Sequence, residues 1–466
     1  MIKKIDNINT LSIIIAASTL ILFISSSIKH ILFKSNALDL GIFDQAVYLI
    51  SQGQKSIPSL LGFHILGDHA AWIFYPLAVL YKIYPSVYWL FAVQAVALAF
   101  GALPIWYLAK QARLKESQAL AIATAYLLYP LVFNVNIFDF HPEVIAVPAL
   151  LVAVLAARSR QIWWFCLSIL FVFGCKAVLA LTVTAMGVWL LVFEKRRLYG
   201  AIAIVSGIVW FAIATKAIIP FFGGAVASVE RHIYRYSYLG HSFPEIFKNL
   251  LFHPNIILKT AFSLANLEYL TWLILPVIWG FSLLGITPLI STIPCLAINL
   301  LADYHAQKDL IHQYSLPVIP FLFLVVINSL AADRGWLKSR RSIILWSLIA
   351  FLALAKFSYF GKYLSSLDTW QATTAAITQI HQGSILTTDE IAPHLSHREL
   401  LTLVNPESPV VDFTKYDYIL LNIRHTLSSR HKQLNISYLN LLKNNPNFKL
   451  SLARTDVYLF KRAKLS

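Results

Sequence analysis

Long apolar stretches alternate with short polar hinges through the first 360 residues of the chain. A bilayer core about 30 Å thick is crossed by roughly 20 apolar helical residues, and fewer suffice where neighbouring helices shield a short one. Backbone polar groups find no water in lipid, so apolar runs of this length are expected to be helices. The pattern predicts eleven membrane-spanning helices, at residues 11–33, 87–109, 117–133, 143–157, 161–175, 177–193, 199–219, 269–285, 288–302, 313–331 and 342–359.

Basic residues between the apolar stretches orient these predicted helices. Cytoplasmic hinges of membrane proteins are rich in Lys and Arg, and such residues occur here at 110–115, 158–160, 195–197 and 334–341. The first span follows Lys3 and Lys4 and has no clear cleavage site behind it, which argues against a signal peptide. We therefore expect a cytoplasmic N-terminus and an extracytoplasmic C-terminus.

Segment 69–84 is apolar but is interrupted by Lys82. Counting it as a span would invert every later hinge, so we expect an interfacial or re-entrant helix there.

Residues 362–466 have denser charge and shorter apolar runs. Strands are predicted at 384–388 and 416–423, a hairpin at 448–453 with 457–461, and a helix at 436–444. The predicted fold is mainly α: a polytopic helical membrane protein of about eleven transmembrane helices with a small C-terminal α/β extracytoplasmic domain. Its domains are a transmembrane part, 1–361, and that outer part, 362–466.

Composition supports a multi-pass protein of the plasma membrane. The chain is 58% hydrophobic and 13% charged, whereas soluble domains carry about 25% charged residues. The net charge of +16 does not indicate nucleic acid, because much of it lies in the short hinges. Membrane lipid is an expected partner, and the sequence leaves the oligomeric state open. The three cysteines lie in apolar segments without disulfide or metal spacing and are expected to be core residues.

Acidic residues and histidines collect on the predicted outer side. The first 361 residues contain fourteen acidic residues, and only four of them fall on the predicted cytoplasmic side: Asp6, Glu116, Glu194 and Asp333. Ionisable groups at or within a membrane are costly to place, so such a concentration predicts a functional site.

Two carboxylates follow the first span, in the sequence Asp39-Leu-Gly-Ile-Phe-Asp-Gln. Asp39 or Asp44 is a candidate general base, because apolar neighbours at the membrane surface can tune a carboxyl pKa. The alternative is a solvated loop in which Asp39 caps a helix. A second candidate pair, Asp68 and His69, is equally consistent with a helix start capped by Asp68.

The segment Phe138-Asp-Phe-His-Pro-Glu places Asp139, His141 and Glu143 at alternating positions. Carboxylate and imidazole ligands suit a divalent cation, which is the only cofactor that the sequence suggests. Hydrogen-bonded contacts to a substrate are a second interpretation. A third is a helix that starts at Pro142 with Glu143 in its first turn.

Cations on the predicted outer side depart from the usual charge distribution of membrane proteins. Lys176, Arg231 and Arg235 are accompanied by several tyrosines, and Arg and Lys both bind phosphate. A belt that contacts anionic headgroups is the alternative. His312 and Tyr314, at the start of the tenth span, are candidates to complete a cavity wall.

These motifs, together with Tyr129-Pro130 and His312-Gln-Tyr, resemble a bacterial family of predicted multi-pass membrane proteins of unknown function. That family is distantly similar to the type C glycosyltransferases, which use polyprenyl-phosphate sugars and carry a catalytic Asp in the first outer loop. The resemblance implies a polyprenyl-phosphate-linked sugar as partner and puts the catalytic role on Asp39 or Asp44. Transfer of the sugar to an acceptor on the outer face is the function expected.

One departure from the family is visible. Members commonly have Lys-Glu-Asp at the start of the sixth span, and this chain has Lys176-Ala177-Val178. Either those acids are dispensable or activity is altered or lost. The alternative function is therefore non-enzymatic: a transporter or a protein that binds lipid-linked sugar.

Overall fold

The computed structural model of the chain describes residues 2–224 and 229–463, without the side chains of 2–8, 229–231 and 243. Contacts divide the chain into two compact units. The helical unit comprises Met1–Ile24, Leu66–Ile73 and Phe91–Lys356, and the mixed unit comprises Ser25–Ile65, Phe74–Leu90 and Phe357–Ser466. The domain division after residue 361 stays a prediction.

Apolar helices make up most of the helical unit, as the hydrophobic pattern predicts. Ile2–Ile31 and Tyr88–Phe100 contribute to both units. The other α-helices of this unit are Leu66–His69, Ala102–Gln111, Glu116–Leu127, Pro130–Phe138, Glu143–Arg158, Ile162–Cys175, Leu179–Val192, Arg197–Ile213, Ile219–Gly223, Phe243–Phe252, Pro254–Ala261, Leu264–Ile274, Ile293–Leu301, Ile319–Ala331 and Arg340–Leu354.

Within the described residues, six helical segments are long and apolar enough to cross a membrane, and a bent pair would make a seventh. The six are Asn9–Ile31, Tyr88–Gln111, Glu116–Phe138, Arg197–Gly223, His305–Ala331 and Arg340–Ile377. The mainly helical membrane fold is thereby confirmed, whereas the count of eleven spans stays a prediction.

Several predicted spans occur as shorter or interrupted helices. Ile162–Cys175 and Leu179–Val192 are apolar but have only 14 residues each. Leu264–Ile274 continues as a 3-10 helix from Leu275, and the 3-10 helix Thr287–Thr292 precedes Ile293–Leu301. Prolines at 276, 288 and 294 account for the irregular geometry, because each lacks the N–H that a regular helix needs.

The mixed unit contains a five-stranded sheet. Its strands are β1 (Ile385–Thr387), β2 (Leu401–Leu403), β3 (Tyr418–Asn422), β4 (Phe448–Arg454) and β5 (Val457–Arg462), in the order β2-β1-β3-β5-β4. β1 is parallel to β2 and β3, and β5 is antiparallel to its two neighbours, β3 and β4. The small C-terminal sheet is confirmed, and β2 is a strand that the sequence pattern did not predict.

Helices cover both faces of this sheet. Neighbouring residues on a strand point to opposite faces, so Ile385 packs with Ala372 and Ala376 while Leu386 packs with Tyr438 and Leu439. The α-helices of the mixed unit are Ile42–Ser51, Phe74–Ile83, Ser358–Tyr363, Leu367–Ile377 and Ser429–Lys443, and a π-helical turn occupies Ala37–Gly41.

Candidate functional site

Lys176 and Glu143 form an ion pair inside the helical unit. Glu143 begins the helix Glu143–Arg158, and Lys176 directly follows the helix Ile162–Cys175. Lys176 Nζ lies 2.8 Å from Glu143 Oε1, and the two side chains are 16% and 5% exposed. A carboxylate buried to this extent requires a paired cation. Most of the charge of Lys176 is therefore balanced within the protein.

Arg235 lies nearby in the same unit and has a different environment. Its guanidinium carbon is 4.5 Å from the ring centroid of Tyr304 and 5.7 Å from that of Tyr314. Its Nη1 atom donates to Gln307 Oε1 at 3.2 Å and to Tyr314 Oη at 3.4 Å. Among the described residues, no carboxylate lies within ion-pair distance of Arg235. The described partners of this cation are neutral, so they orient it without cancelling its charge.

Tyr314 connects the two cations. Lys176 Nζ lies 5.7 Å from the same Tyr314 ring that Arg235 contacts, an arrangement that the ring's negative face favours. A cavity with an empty volume of about 430 Å³ opens beside Tyr314. Its lining is formed by Glu143, Lys176, Val178, Leu179, Thr182, Cys295, Ile298, Asn299, Gln313, Tyr314 and Pro317.

Gln313 is the polar residue of this cavity that lacks a full set of partners. Its side chain is 6% exposed, and its Oε1 atom has no hydrogen-bond partner in the described part of the chain. An unpaired buried acceptor is costly. The cavity thus offers an acceptor for a hydroxyl group beside the Lys176–Glu143 ion pair.

The Gly67-Asp68-His69 motif supports this region from a separate segment. Ala177 N donates to His69 O at 2.9 Å, which ties the motif to the turn that carries Lys176. Asp68 Oδ2 lies 3.4 Å from His69 Nε2. A Cβ atom on Gly67 would lie 2.5 Å from Gly223 Cα, so only glycine permits the observed backbone approach. Part of the motif is therefore structural.

Asp139 and His141 precede Glu143 in the sequence and are also buried, but they do not line the cavity. Their exposures are 3% each. His141 Nδ1 lies 3.3 Å from the backbone oxygen of Asp139, and its ring stacks on Phe138. Among the described residues no three His, Cys, Asp or Glu side chains are grouped as metal ligands would be. Of this motif, only Glu143 lines the cavity.

His312 and Arg231 complete the candidates from the helical unit. His312 Nδ1 lies 2.7 Å from Asp309 Oδ2, and its ring meets the edge of Phe138 at a centroid distance of 4.4 Å. The side chain of Arg231 lies outside the described part of the chain, so its predicted role stays a prediction.

In the mixed unit, Asp44 is buried and extensively bound. It is 1% exposed and accepts hydrogen bonds from Tyr81 Oη at 2.5 Å and from Ser396 Oγ. His397 Nε2 lies 3.0 Å from Asp44 Oδ2. Ser396 and His397 attach the helix Ile42–Ser51 to the segment that follows β1, and Tyr81 attaches it to the helix Phe74–Ile83. A base held in this way has little capacity left for a substrate proton.

Asp39 differs from Asp44. It lies in the π-helical turn Ala37–Gly41 and is only partly buried. The cap of this turn is Asn36, whose side chain accepts from Leu38 N at 2.7 Å. Asp39 is therefore not the N-cap of this turn. Asp39 has the better access of the two predicted bases.

The partners of Asp44 set the ionisation of His397. Burial lowers the pKa of His397, but the negative charge and close contact of Asp44 raise it, and the net direction is above the ordinary value. The neighbouring Gln45 donates to the backbone oxygen of Arg398 at 2.8 Å and to Ser59 Oγ at 3.0 Å. The first loop and the C-terminal segment are thus joined by both charge and hydrogen bonds.

The side chains that surround Arg235 and Asp44 were not predicted from the sequence. Neither Gln307 nor Tyr304 beside Arg235 carried a local motif, and Gln313 was noted only as part of a motif. His397 and Ser396 lie more than 350 residues after Asp44. Only an aligned set of relatives in which these positions vary together could have signalled such pairs.

Two solved structures share the fold over nearly the whole chain. ArnT from Cupriavidus metallidurans bound to undecaprenyl phosphate is 12% identical at a TM-score of 0.53, covering 97% of this chain and 98% of that one. Its apo form is 13% identical at a TM-score of 0.54, with 97% of each chain covered. Among curated proteins, no significant sequence match is found. At these identities the likeness shows the fold alone.

A family model described as "Predicted membrane protein (DUF2079)" matches residues 29–456. The chain belongs to this family of membrane proteins, and the resemblance drawn from its motifs is confirmed.

Proposed function

We propose that this DUF2079 protein transfers a sugar from a polyprenyl-phosphate donor to an acceptor on the outer face of the plasma membrane. The acceptor oxygen attacks the anomeric carbon, the bond from that carbon to the phosphate oxygen breaks, and polyprenyl phosphate leaves. A carboxylate takes the acceptor proton. The fold shared with a protein crystallised with undecaprenyl phosphate supports the donor class.

One observation carries the proposal: Arg235 packs against Tyr304 and against Tyr314, which lines the cavity, and within the described residues no carboxylate pairs with its guanidinium. A departing phosphate is an anion that this guanidinium can bind through two parallel hydrogen bonds. A preorganised charge of this kind stabilises the transition state without further rearrangement. Lys176, already paired with Glu143, is expected to contribute less than Arg235.

Asp39 is proposed as the base. It is the more accessible of the two predicted acids, because Asp39 is partly exposed whereas Asp44 is 1% exposed. A positioned general base contributes about 10²–10⁴-fold to rate.

The donor site is tested by binding of undecaprenyl phosphate to the full chain in lipid nanodiscs. We expect Arg235→Ala to weaken binding by roughly ten- to hundredfold, since a charge-assisted contact contributes about 1.5–3 kcal/mol and each 1.4 kcal/mol is tenfold. Arg340→Ala is the matched control, because Arg340 is exposed in a predicted cytoplasmic hinge. Lys216→Ala controls for a cation within a span that snorkels to the interface. Equal losses in all three would indicate nonspecific headgroup electrostatics.

The base is tested by sugar transfer from a lipid-linked donor. Asp39→Asn is expected to reduce transfer by at least about 100-fold while undecaprenyl-phosphate binding stays unchanged. Full activity in this variant would exclude the catalytic role of Asp39.

A second function, binding of lipid-linked sugar without transfer, is favoured by the two lost acids. Ala177 is buried against Ala70, Ala214 and Ile219, and Val178 lines the cavity. This function is supported if the wild-type protein binds the donor but transfers no sugar, and if Asp39→Asn binds the donor as the wild type does.

A further inference from the structure

The mixed unit has a cleft of its own at the carboxyl ends of its parallel strands. The cleft has an empty volume of about 280 Å³ and lies where the three parallel strands end. Thr388 follows β1, Val404 follows β2 and His425 lies three residues after β3. His431 and Asn435, in the helix Ser429–Lys443, form another wall.

The topology of the sheet marks these strand ends as a binding position. From β1 the chain continues to β2 on one side, whereas from β3 it continues to β4 and β5 on the other side. The connections therefore leave β1 and β3 in opposite directions. In open α/β sheets, ligands bind at the carboxyl ends of strands where this reversal occurs.

Two buried polar atoms in the cleft lack partners. Thr388 is 7% exposed and Asn435 is 1% exposed. Neither Thr388 Oγ1 nor Asn435 Oδ1 has a hydrogen-bond partner in the described part of the chain. The amide nitrogen of Asn435 donates to Asn422 O at 3.4 Å, which directs Asn435 Oδ1 away from that strand. Buried polar groups normally have a hydrogen-bond partner, so these two oxygens are available to a molecule that enters the cleft.

The lining selects the chemistry of that ligand. Asn435 Oδ1 needs a donor, and the Thr388 hydroxyl can both donate and accept. Asp389 and Glu390 add carboxylates to the rim, which disfavours an anion. Glu390 is itself paired with Lys34 at 2.8 Å, so the rim is not strongly negative. A neutral group that bears several hydroxyls meets all these requirements.

We infer that the cleft lined by Thr388, His425, His431 and Asn435 binds the hydroxyl-rich edge of a saccharide. The enclosed part of the cleft is small, so it takes in a hydroxyl group of the saccharide while the ring stays at its opening. If the protein is the transferase proposed above, the bound saccharide is the acceptor. Only this assignment rests on the proposed function.

The test is saturation-transfer NMR on the full chain. The protein is held in lipid nanodiscs because many detergents have sugar headgroups that would compete for the cleft. The probes are the methyl glycosides of mannose, galactose, glucose and N-acetylglucosamine. Inorganic phosphate serves as the anionic comparison. We expect at least one glycoside to bind and phosphate not to compete with it.

Variants localise the binding. Thr388→Val and Asn435→Leu should each weaken it at least tenfold, whereas Thr388→Ser, which keeps the hydroxyl, should retain it. Asn440→Leu, at an exposed position of the same helix, is the matched control. The inference is overturned if no glycoside binds the wild type, if phosphate displaces the glycoside, or if the two cleft variants bind as the wild type does.

The cleft and the transfer reaction can fail separately. Glycoside binding that depends on Thr388 and Asn435 in a protein without transfer activity supports the cleft and rejects the enzyme. Transfer activity that the two cleft variants leave unchanged supports the enzyme and rejects the cleft as its acceptor site.

Discussion

The buried pair of Glu143 and Lys176 makes each residue dependent on the other. Removing one partner of a buried pair costs about 3–5 kcal/mol, whereas replacing both can be neutral. We therefore expect Lys176→Met to lower the melting temperature strongly and the double variant with Glu143→Gln to recover most of the loss. Unfolding in nanodiscs measures both. If the double variant were as unstable as the single one, the pair would not be the reason for the loss.

A second residue-scale prediction concerns His397. Its pKa is above the ordinary value because the charge of Asp44 outweighs the opposing effect of burial. Such a group stabilises the fold fully below about pH 6.5, and this stabilisation is lost as the pH rises through the folded-state pKa. We expect the wild type to lose on the order of 1 kcal/mol between pH 6.5 and 9, consistent with a partly exposed pair.

Thermal unfolding across that pH range measures the loss, with His397→Gln expected to flatten it. The exposed His381 provides the control variant, His381→Gln. The range starts at pH 6.5 because His394 acts below it: burial lowers the pKa of His394 to about 4, so its protonation destabilises the fold only as the pH falls. An equal slope in wild type and His397→Gln would contradict the assignment.

At the scale of elements, close backbone contact explains the glycine of the Gly67-Asp68-His69 motif. The short helices Leu66–His69 and Ile219–Gly223 meet where a Cβ on Gly67 would overlap the backbone of Gly223. Gly67→Ala is therefore expected to destabilise the protein by about 1–3 kcal/mol, as overpacking does.

Gly361→Ala is the matched comparison for this prediction. Gly361 lies within the helix Ser358–Tyr363, and a Cβ atom added there would contact no neighbouring side chain or segment within 4 Å. Alanine there should be neutral or stabilising by up to about 1 kcal/mol. Unfolding measurements that ranked the two variants in the opposite order would argue against the close approach.

At the scale of the whole molecule, the basic hinges predict the orientation in the membrane. An N-terminus inside and a C-terminus outside should give a cytoplasmic signal from a reporter fused after Gln161 and an extracytoplasmic signal from one fused at Lys464. The reason is that Lys and Arg are enriched in the cytoplasmic loops of membrane proteins. A cytoplasmic signal at Lys464 would rule out both the eleven-span count and the outer location predicted for residues 362–466.

The sequence by itself determined the features that depend on local physics. Apolar length fixed the membrane class, because unpaired backbone groups are not tolerated in lipid. Short apolar runs predicted β1 and β3, and two such runs around a turn predicted the hairpin of β4 with β5. Motif residues identified Lys176, Arg235 and Asp39 as candidates. The sequence did not determine the number of spans. Prolines interrupt some apolar segments and others are short, so a membrane span and a buried helix have the same sequence pattern.

Only the tertiary structure decided how these candidates differ from one another. Lys176 is neutralised by Glu143 from another helix, whereas Arg235 contacts neutral side chains. Asp44 is occupied by groups more than 35 residues away along the chain, whereas Asp39 stays partly exposed. Charge compensation and access depend on the distance between side chains in space, and a linear pattern contains no information about that distance until the chain is folded.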